Sequence, residues 1–358
     1  MANDNVNYSK KVNALLDEMP DFVADFILNF KNSENPSTML QYTRDIYDFL
    51  RFMVNTMPDH DGKDIKDLTL DDLSKLTSLD VNRYLTLIRS SKDRRFTKLR
   101  NDVIEKNNVP SNHKASTIKR LRATLSSMFS FFMTSGRLKS NPAAARGNNK
   151  TTKKELIYLT NAQQTKLLNT VRTGENLAGK AATHHERYVM RDSAMILLLL
   201  DTGLRVSEML TTNIADYDFD SCCVHVVRKG GDSDVVSFSD ECASYLMEYF
   251  DAQRARFLIS DDQIPSFTTL QGERLGVRAV ENLVKKYAEA SLGTAKGKSI
   301  TPHKLRSSFA MSFYEASGND ILLLKEKLHH SSINTTKIYT EAAPGRKEDT
   351  RNILQGLR

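Results

Sequence analysis

At 358 residues the chain exceeds what one hydrophobic core usually organises, so two domains are expected. Hydrophobic residues make up 40% and charged residues 27%, which excludes a disordered or fibrous chain and fits a soluble globular one. Lys and Arg total 51 against 44 Asp and Glu, and the formal charge of +7 leans toward a polyanionic partner without requiring one.

The N-terminus, MANDNVNYSK, lacks the apolar stretch of a signal peptide. No apolar run approaches the roughly 18 to 20 residues that span a bilayer, so a cytoplasmic location and no membrane partner are expected. In the first third, Tyr42, Ile46, Phe49, Leu50 and Met53 recur at helical spacing, as do Leu121, Leu125, Met128, Phe129 and Phe132. Each stripe predicts an amphipathic helix with its apolar face in a core. Ser37 or Thr38 starts one helix and Ser116 or Thr117 the other. Lys119, Arg120 and Arg122 lie near the start of the second, after a basic stretch holding Lys92, Arg94, Arg95, Lys98 and Arg100. Phosphate contact and a merely solvated basic face account for these residues equally well.

Between Asn141 and Glu155 the sequence NPAAARGNNKTTKKE carries almost nothing apolar, and the domain boundary is placed there. The expected division is a helical domain over 1–142, a basic linker over 143–155, a second domain over 156–345 and a C-terminal segment over 346–358. In the second domain the run MILLLL predicts a buried helix ended by Gly203. The segment CCVHVVRKGGDSDVVSFS alternates as two strands joined at Lys229-Gly230-Gly231-Asp232, a hairpin signal because glycine tolerates the positive φ of tight turns. Helices dominate the remainder. The fold class is therefore mainly α with a small antiparallel β-sheet in the C-terminal domain. Cys222, Cys223 and Cys242 form no paired framework and no metal-ligand spacing, and they read as reduced, partly buried residues.

Near the end, TPHKLRSSF offers Thr301 as a cap and Pro302 at the first helical position. His303 and Arg306 then share a helix face, and an imidazole beside a guanidinium suits an anionic oxygen. Further on, LHHSSINTTKIYTE sets His330 and Tyr339 nine positions apart, with turn-forming Ser and Asn between them. Upstream, DTGLRVSEML places Arg205 just after Gly203, where a turn can aim it into a cleft; a structural salt bridge is the plainer reading. Each of these residues alone has an ordinary structural explanation.

Their conjunction and order resemble the tyrosine recombinases, the phage-integrase family. The signature is a first Arg in a T-G-L-R-x-S-E box, a hairpin Lys, an H-x-L-R box, a later His and a Tyr nine residues beyond. Here these fall on Arg205, Lys229, His303, Arg306, His330 and Tyr339. The hairpin and TPHKLR look most like Xer-type recombinases of Gram-positive bacteria. Two departures stand out: His329 where the family usually has Gly, and Ser307 where His is frequent.

The resemblance implies cleavage and rejoining of DNA through a 3′-phosphotyrosyl intermediate on Tyr339, with Arg205 and Arg306 clamping the phosphate. It implies His330 as a further donor, His303 as donor or base, and Lys229 as the acid. Glu208 orients the site or is an ordinary surface residue. It further implies a two-domain clamp whose N-terminal part is the core-binding domain. The expected partner is double-stranded DNA with an inverted-repeat core site, gripped by a homo-tetramer on two sites. The C-terminal segment, with NILQGL, would dock on a neighbouring protomer. No cofactor is expected: a GxxxxGK[ST] phosphate loop is lacking, and arginines supply the positive charge a metal would. His184-His185-Glu186 reads as a polar helix start. A type IB-like topoisomerase and a non-catalytic DNA-binding regulator on the same fold are the alternatives. Chromosome-dimer resolution, element integration or excision, and inversion would all share this chemistry.

Overall fold

The computed structural model describes residues 2–30, 36–60, 62–90, 115–144, 155–228, 231–257, 260–330 and 332–343. Arg94, Arg95, Lys229, most of the expected linker and the C-terminal segment lie outside them. The chain divides into two compact units, Met1–Thr151 and Thr152–Arg358.

The first unit is helical: α1 (Ala2–Leu16), α2 (Asp21–Phe30), α3 (Pro36–Thr56), α4 (Leu70–Ser74), α5 (Ser78–Ser90) and α6 (Ala115–Thr134). Both predicted stripes face inward. Phe49, Leu50 and Met53 of α3 and Leu125, Met128, Phe129 and Phe132 of α6 are fully buried. Aromatic edges join the helices, Phe49 lying 5.1 Å from Tyr84 and Phe22 5.7 Å from Phe132 between ring centroids. Ala143 is also part of this core, so compact structure runs past the expected boundary at 142. Asn141 explains this, because its amide donates to Ser126 and Ser130 of α6 while its carbonyl oxygen accepts from the Ala143 backbone. One side chain thus pins Ala143 to the end of the helical unit.

The second unit contains α7 (Asn161–Thr173), α8 (Lys180–Thr183), α9 (His185–Thr202) and α10 (Val206–Thr211). There follow β1 (Tyr217–Asp218), β2 (Cys223–Val227), β3 (Ser233–Ser237), α11 (Asp240–Arg256), α12 (Val277–Leu292) and α13 (Thr294–Gly297). The unit ends with α14 (Pro302–Ala316), α15 (Ile321–Lys327) and α16 (Ile333–Ala342). Ala194 to Leu200 are buried without a break, so the second half of α9 is apolar all round and runs through the core; the helix packs against α7, α11 and α14. The three strands form an antiparallel sheet in the order β1-β2-β3. In the hairpin Val224 pairs with Val236 and Val227 with Ser233, while Val224, Val226 and Val236 face the core. β1 is two residues long, too short for an alternation pattern to reveal. Among the described residues no helix is long and apolar enough to cross a membrane.

Gly203 ends α9 with a φ of +62°, a conformation in which any side chain would be strained. A Cβ there would also lie 2.2 Å from the Phe309 ring. Glycine at this point turns the chain so that Arg205 stands at the cap position of the next helix, α10. His185, from the polar helix start, is buried, with Nε2 2.8 Å from the Val171 carbonyl. The cysteines are free thiols, Cys223 and Cys242 buried and Cys222 partly so.

Candidate active site

Arg306 is set by its backbone surroundings. Pro302 sits at the start of α14 with Thr301 at the cap position, although the Thr301 side chain makes no capping bond. One turn on, Arg306 is 3% exposed, and its two terminal nitrogens donate to the carbonyls of Gly203 and Leu328, each at 2.5 Å. The guanidinium thereby ties the ends of α9 and α15 together. Burial and the neighbouring Arg205 charge lower its pKa to about 10, so it stays cationic at neutral pH.

Arg205 is more open. Its side chain is 36% exposed and donates to Glu208 Oε1 at 2.6 Å, while its backbone N–H donates to Glu208 Oε2 at 2.9 Å. The salt bridge that sequence alone favoured therefore exists, and it orients the guanidinium without burying it. Glu208 is 4% exposed; burial pushes its carboxyl up, but bonds from Arg205 and the charge of Arg228 outweigh this and hold it below the usual range.

Arg205 borders two cavities. One, of about 700 Å³, is also lined by Asp232, Lys325, His329, His330 and Thr335. The other, of about 360 Å³, is also lined by Ser207, Thr301, His303 and Arg306. Partial burial, with the charges of Arg306, Arg205 and His303, lowers the His330 pKa to about 4. His303 is depressed as well, by burial and by Lys304, Arg306 and Arg205. Both imidazoles are neutral at pH 7. His330 Nδ1 lies 3.0 Å from the Thr336 hydroxyl, inside α16.

Ser332 caps α16 by accepting from the Asn334 N–H, as the Ser-Asn turn signal predicts. Tyr339, two turns along, is 2% exposed in a small apolar cluster with Met311, Leu324 and Leu328. Burial raises its pKa, while a hydrogen bond to Ser307 and the Arg306 charge pull it down. Ser307, one of the two departures from the family pattern, thus influences the nucleophile candidate, while its own hydroxyl donates to the His303 carbonyl at 3.1 Å. The other departure, His329, has a φ of +48°, which is the physical reason glycine is common there. Its ring lies 4.0 and 3.9 Å from the carboxylates of Asp232 and Asp234 on the hairpin.

Five of the six sequence-assigned residues, Arg205, His303, Arg306, His330 and Tyr339, are thus drawn together within the second unit; Lys229 lies outside the described residues. The basic residues of α6 divide. Arg120 pairs with Asp45, which is buried and also accepts from Gln41 and Thr124. Arg122 donates to Asn82, and Lys119 is exposed. Sequence reasoning noted Ser307 only as a departure from the family pattern, missed Thr336 and Arg228, for which no local pattern exists, and left Glu208 undecided although its spacing from Arg205 was visible.

The family model described as "Phage integrase family" matches residues 158–346, more than half of the chain. The tyrosine recombinase XerC of Roseiflexus sp. is 32% identical over 253 residues, covering 68% of this chain and 76% of that protein. The tyrosine recombinase XerS of Streptococcus mutans is 23% identical over 96% of this chain and 98% of its own length. In fold, the chain matches a Tn1549 transposon integrase solved with transposon right-end DNA, with a TM-score of 0.62 at 18% identity over 94% of this chain and 98% of that one. The extent of these matches, over the unit in which Arg205, Arg306 and Tyr339 meet, establishes that the chain belongs to the phage integrase family.

Proposed function

We propose that this protein is a site-specific DNA recombinase that breaks and rejoins strands through a covalent bond between Tyr339 and a 3′-phosphate. The observation that carries this reading is the meeting of two guanidiniums, two neutral imidazoles and a buried phenol. Tyr339 lies close enough to Arg306 and Ser307 for the guanidinium charge and the hydroxyl to pull its pKa down.

In cleavage the Tyr339 oxygen attacks phosphorus, the bond to the 5′-oxygen breaks, and the non-bridging oxygens gain negative charge in the transition state. Arg205 and Arg306 stabilise that charge, which preorganised cations do without rearranging solvent. With Thr336 donating to Nδ1 of His330, Nε2–H is left to donate to a phosphate oxygen. His303, neutral at pH 7, accepts the phenol proton. Lys229 protonates the departing 5′-oxygen. The phosphotyrosine conserves the bond energy, and attack by a 5′-hydroxyl reverses the step.

The partner is double-stranded DNA; in support, a XerH site-specific recombinase of the same fold was solved bound to its difH substrate and the Tn1549 integrase with transposon right end DNA. An inverted-repeat site, a homo-tetramer on two such sites and a cytoplasmic location complete the proposal. Lys119 of α6 is the basic residue best placed by exposure to meet phosphate.

The experiment mixes the protein with sheared host DNA, quenches in detergent, recovers DNA covalently bound to protein and sequences its ends, with Tyr339→Phe alongside. Ends converging on one inverted repeat, absent from Tyr339→Phe, are the expected result. Tight DNA binding without covalent DNA refutes the reading; relaxation of supercoils with no preferred site turns it into a topoisomerase.

A further inference from the structure

Immediately before Lys229 stands a residue that the mechanism above does not use. The Arg228 side chain is only 2% exposed, so it is turned away from any phosphate outside the fold. Its Nε and one terminal nitrogen donate to Asp234 Oδ2 at 2.8 and 2.7 Å, and the other terminal nitrogen donates to Glu208 Oε2 at 2.8 Å. Its main chain closes the hairpin as well. The Arg228 N–H donates to the Asp232 carbonyl at 2.7 Å, and its carbonyl accepts from the Gly231 N–H at 3.0 Å.

Glu208 is therefore shared between two arginines, Arg205 at the start of α10 and Arg228 at the end of β2. At this end of the hairpin Val226 faces the core, whereas Val227 and Val235 are 47% and 53% exposed. The charged bonds add the tie to α10: a swing of the hairpin would break the pair between the buried Arg228 guanidinium and the buried Glu208 carboxylate, leaving Arg228 only Asp234 and Glu208 only Arg205, which is unfavourable.

We propose that Arg228 is a positioning residue for the leaving-group side of cleavage: through Glu208 it holds the end of the β2–β3 hairpin in fixed relation to Arg205. The inference rests on the assignment of Lys229, the next residue in the chain, as the acid. It ascribes to Arg228 no contact with DNA. It also gives Glu208 two tasks, aiming Arg205 and fixing the hairpin.

The test is single-turnover cleavage by the full chain of a duplex carrying the captured site, with oxygen or sulfur at the bridging 5′ position of the scissile bond. A sulfur leaving group departs without a proton. For Lys229→Ala the sulfur-to-oxygen rate ratio should rise by about 10²- to 10⁴-fold over the parent, the usual contribution of a general acid. For Arg228→Gln the ratio should rise by at least about tenfold, and for Asp234→Asn in the same direction by less. Both substrates meet the same preparation, so unfolded protein lowers both rates alike and leaves the ratio unchanged. A parental ratio in Arg228→Gln, with Lys229→Ala rescued, overturns the positioning role while the acid assignment stands. Failure of sulfur to rescue Lys229→Ala removes the acid assignment and this proposal with it. Should Arg228→Gln not fold, Asp234→Asn decides, and an unchanged ratio overturns the proposal.

Discussion

Replacing Gly203 with alanine tests how the end of α9 builds the site. Two penalties can be worked from the structure. A φ of +62° in a residue with a Cβ costs about 1 to 2 kcal/mol. The added methyl would lie 2.2 Å from one Phe309 ring atom and 2.9 Å from two others, and such overpacking costs about 1 to 3 kcal/mol. Together they predict a loss of about 2 to 5 kcal/mol. For a unit of this size that is a fall in melting temperature of roughly 4 to 20 °C. The Gly203 carbonyl also holds Arg306, and a displacement of about 1 Å at a catalytic group costs about 100-fold in rate. Calorimetry of Gly203→Ala, with covalent-complex formation measured well below the melting point, reads both effects. Adding Phe309→Leu removes the ring edge and should restore part of the stability but not the backbone term. Parental melting and parental cleavage in Gly203→Ala would refute the account. A double variant showing no recovery would refute the ring contact as its cause.

Burial and neighbouring cations hold His330 at about 4 in the fold against an ordinary 6.5, so folding favours the neutral ring. That contribution is complete above about pH 6.5 and is lost as pH falls toward 4; melting should therefore drop more steeply between pH 7 and 4.5 in the parent than in His330→Gln. Equal slopes would contradict it. The Ser307 bond lowers the pKa of Tyr339, so Ser307→Ala should move the pH–rate profile of cleavage to higher pH and slow it roughly three- to tenfold at neutrality; an unshifted profile counts against the contact. Arg120→Ala strands the buried Asp45 carboxylate and should cost about 2 to 4 kcal/mol, less than for a fully enclosed pair because Arg120 is 36% exposed. Lys119→Ala should leave melting unchanged while lowering the salt slope of DNA binding by about one. An unchanged slope removes Lys119 from the interface.

Local chemistry was legible throughout. The buried helix through Leu200, its glycine stop, the hairpin and the Ser332 start of α16 follow from periodicity, caps and turn residues acting over a few positions. The six-residue signature was legible too, because its members keep a fixed order. What could not be read was the partner of each side chain. Arg120 looked like its neighbour Lys119 in the sequence, yet it faces inward to Asp45, 75 positions away.

The sequence by itself determined which residue types could act on a phosphate, the helical and hairpin elements that carry them, and the family to which they belong. Tertiary structure decided how they are held. Arg306 is fixed by carbonyls 103 and 22 positions distant, Arg228 bridges Glu208 and Asp234, and Tyr339 packs with Met311, Leu324 and Leu328. The reason is physical: backbone conformation responds to immediate neighbours, whereas a buried charge or hydroxyl must find its partner wherever the packed chain brings one.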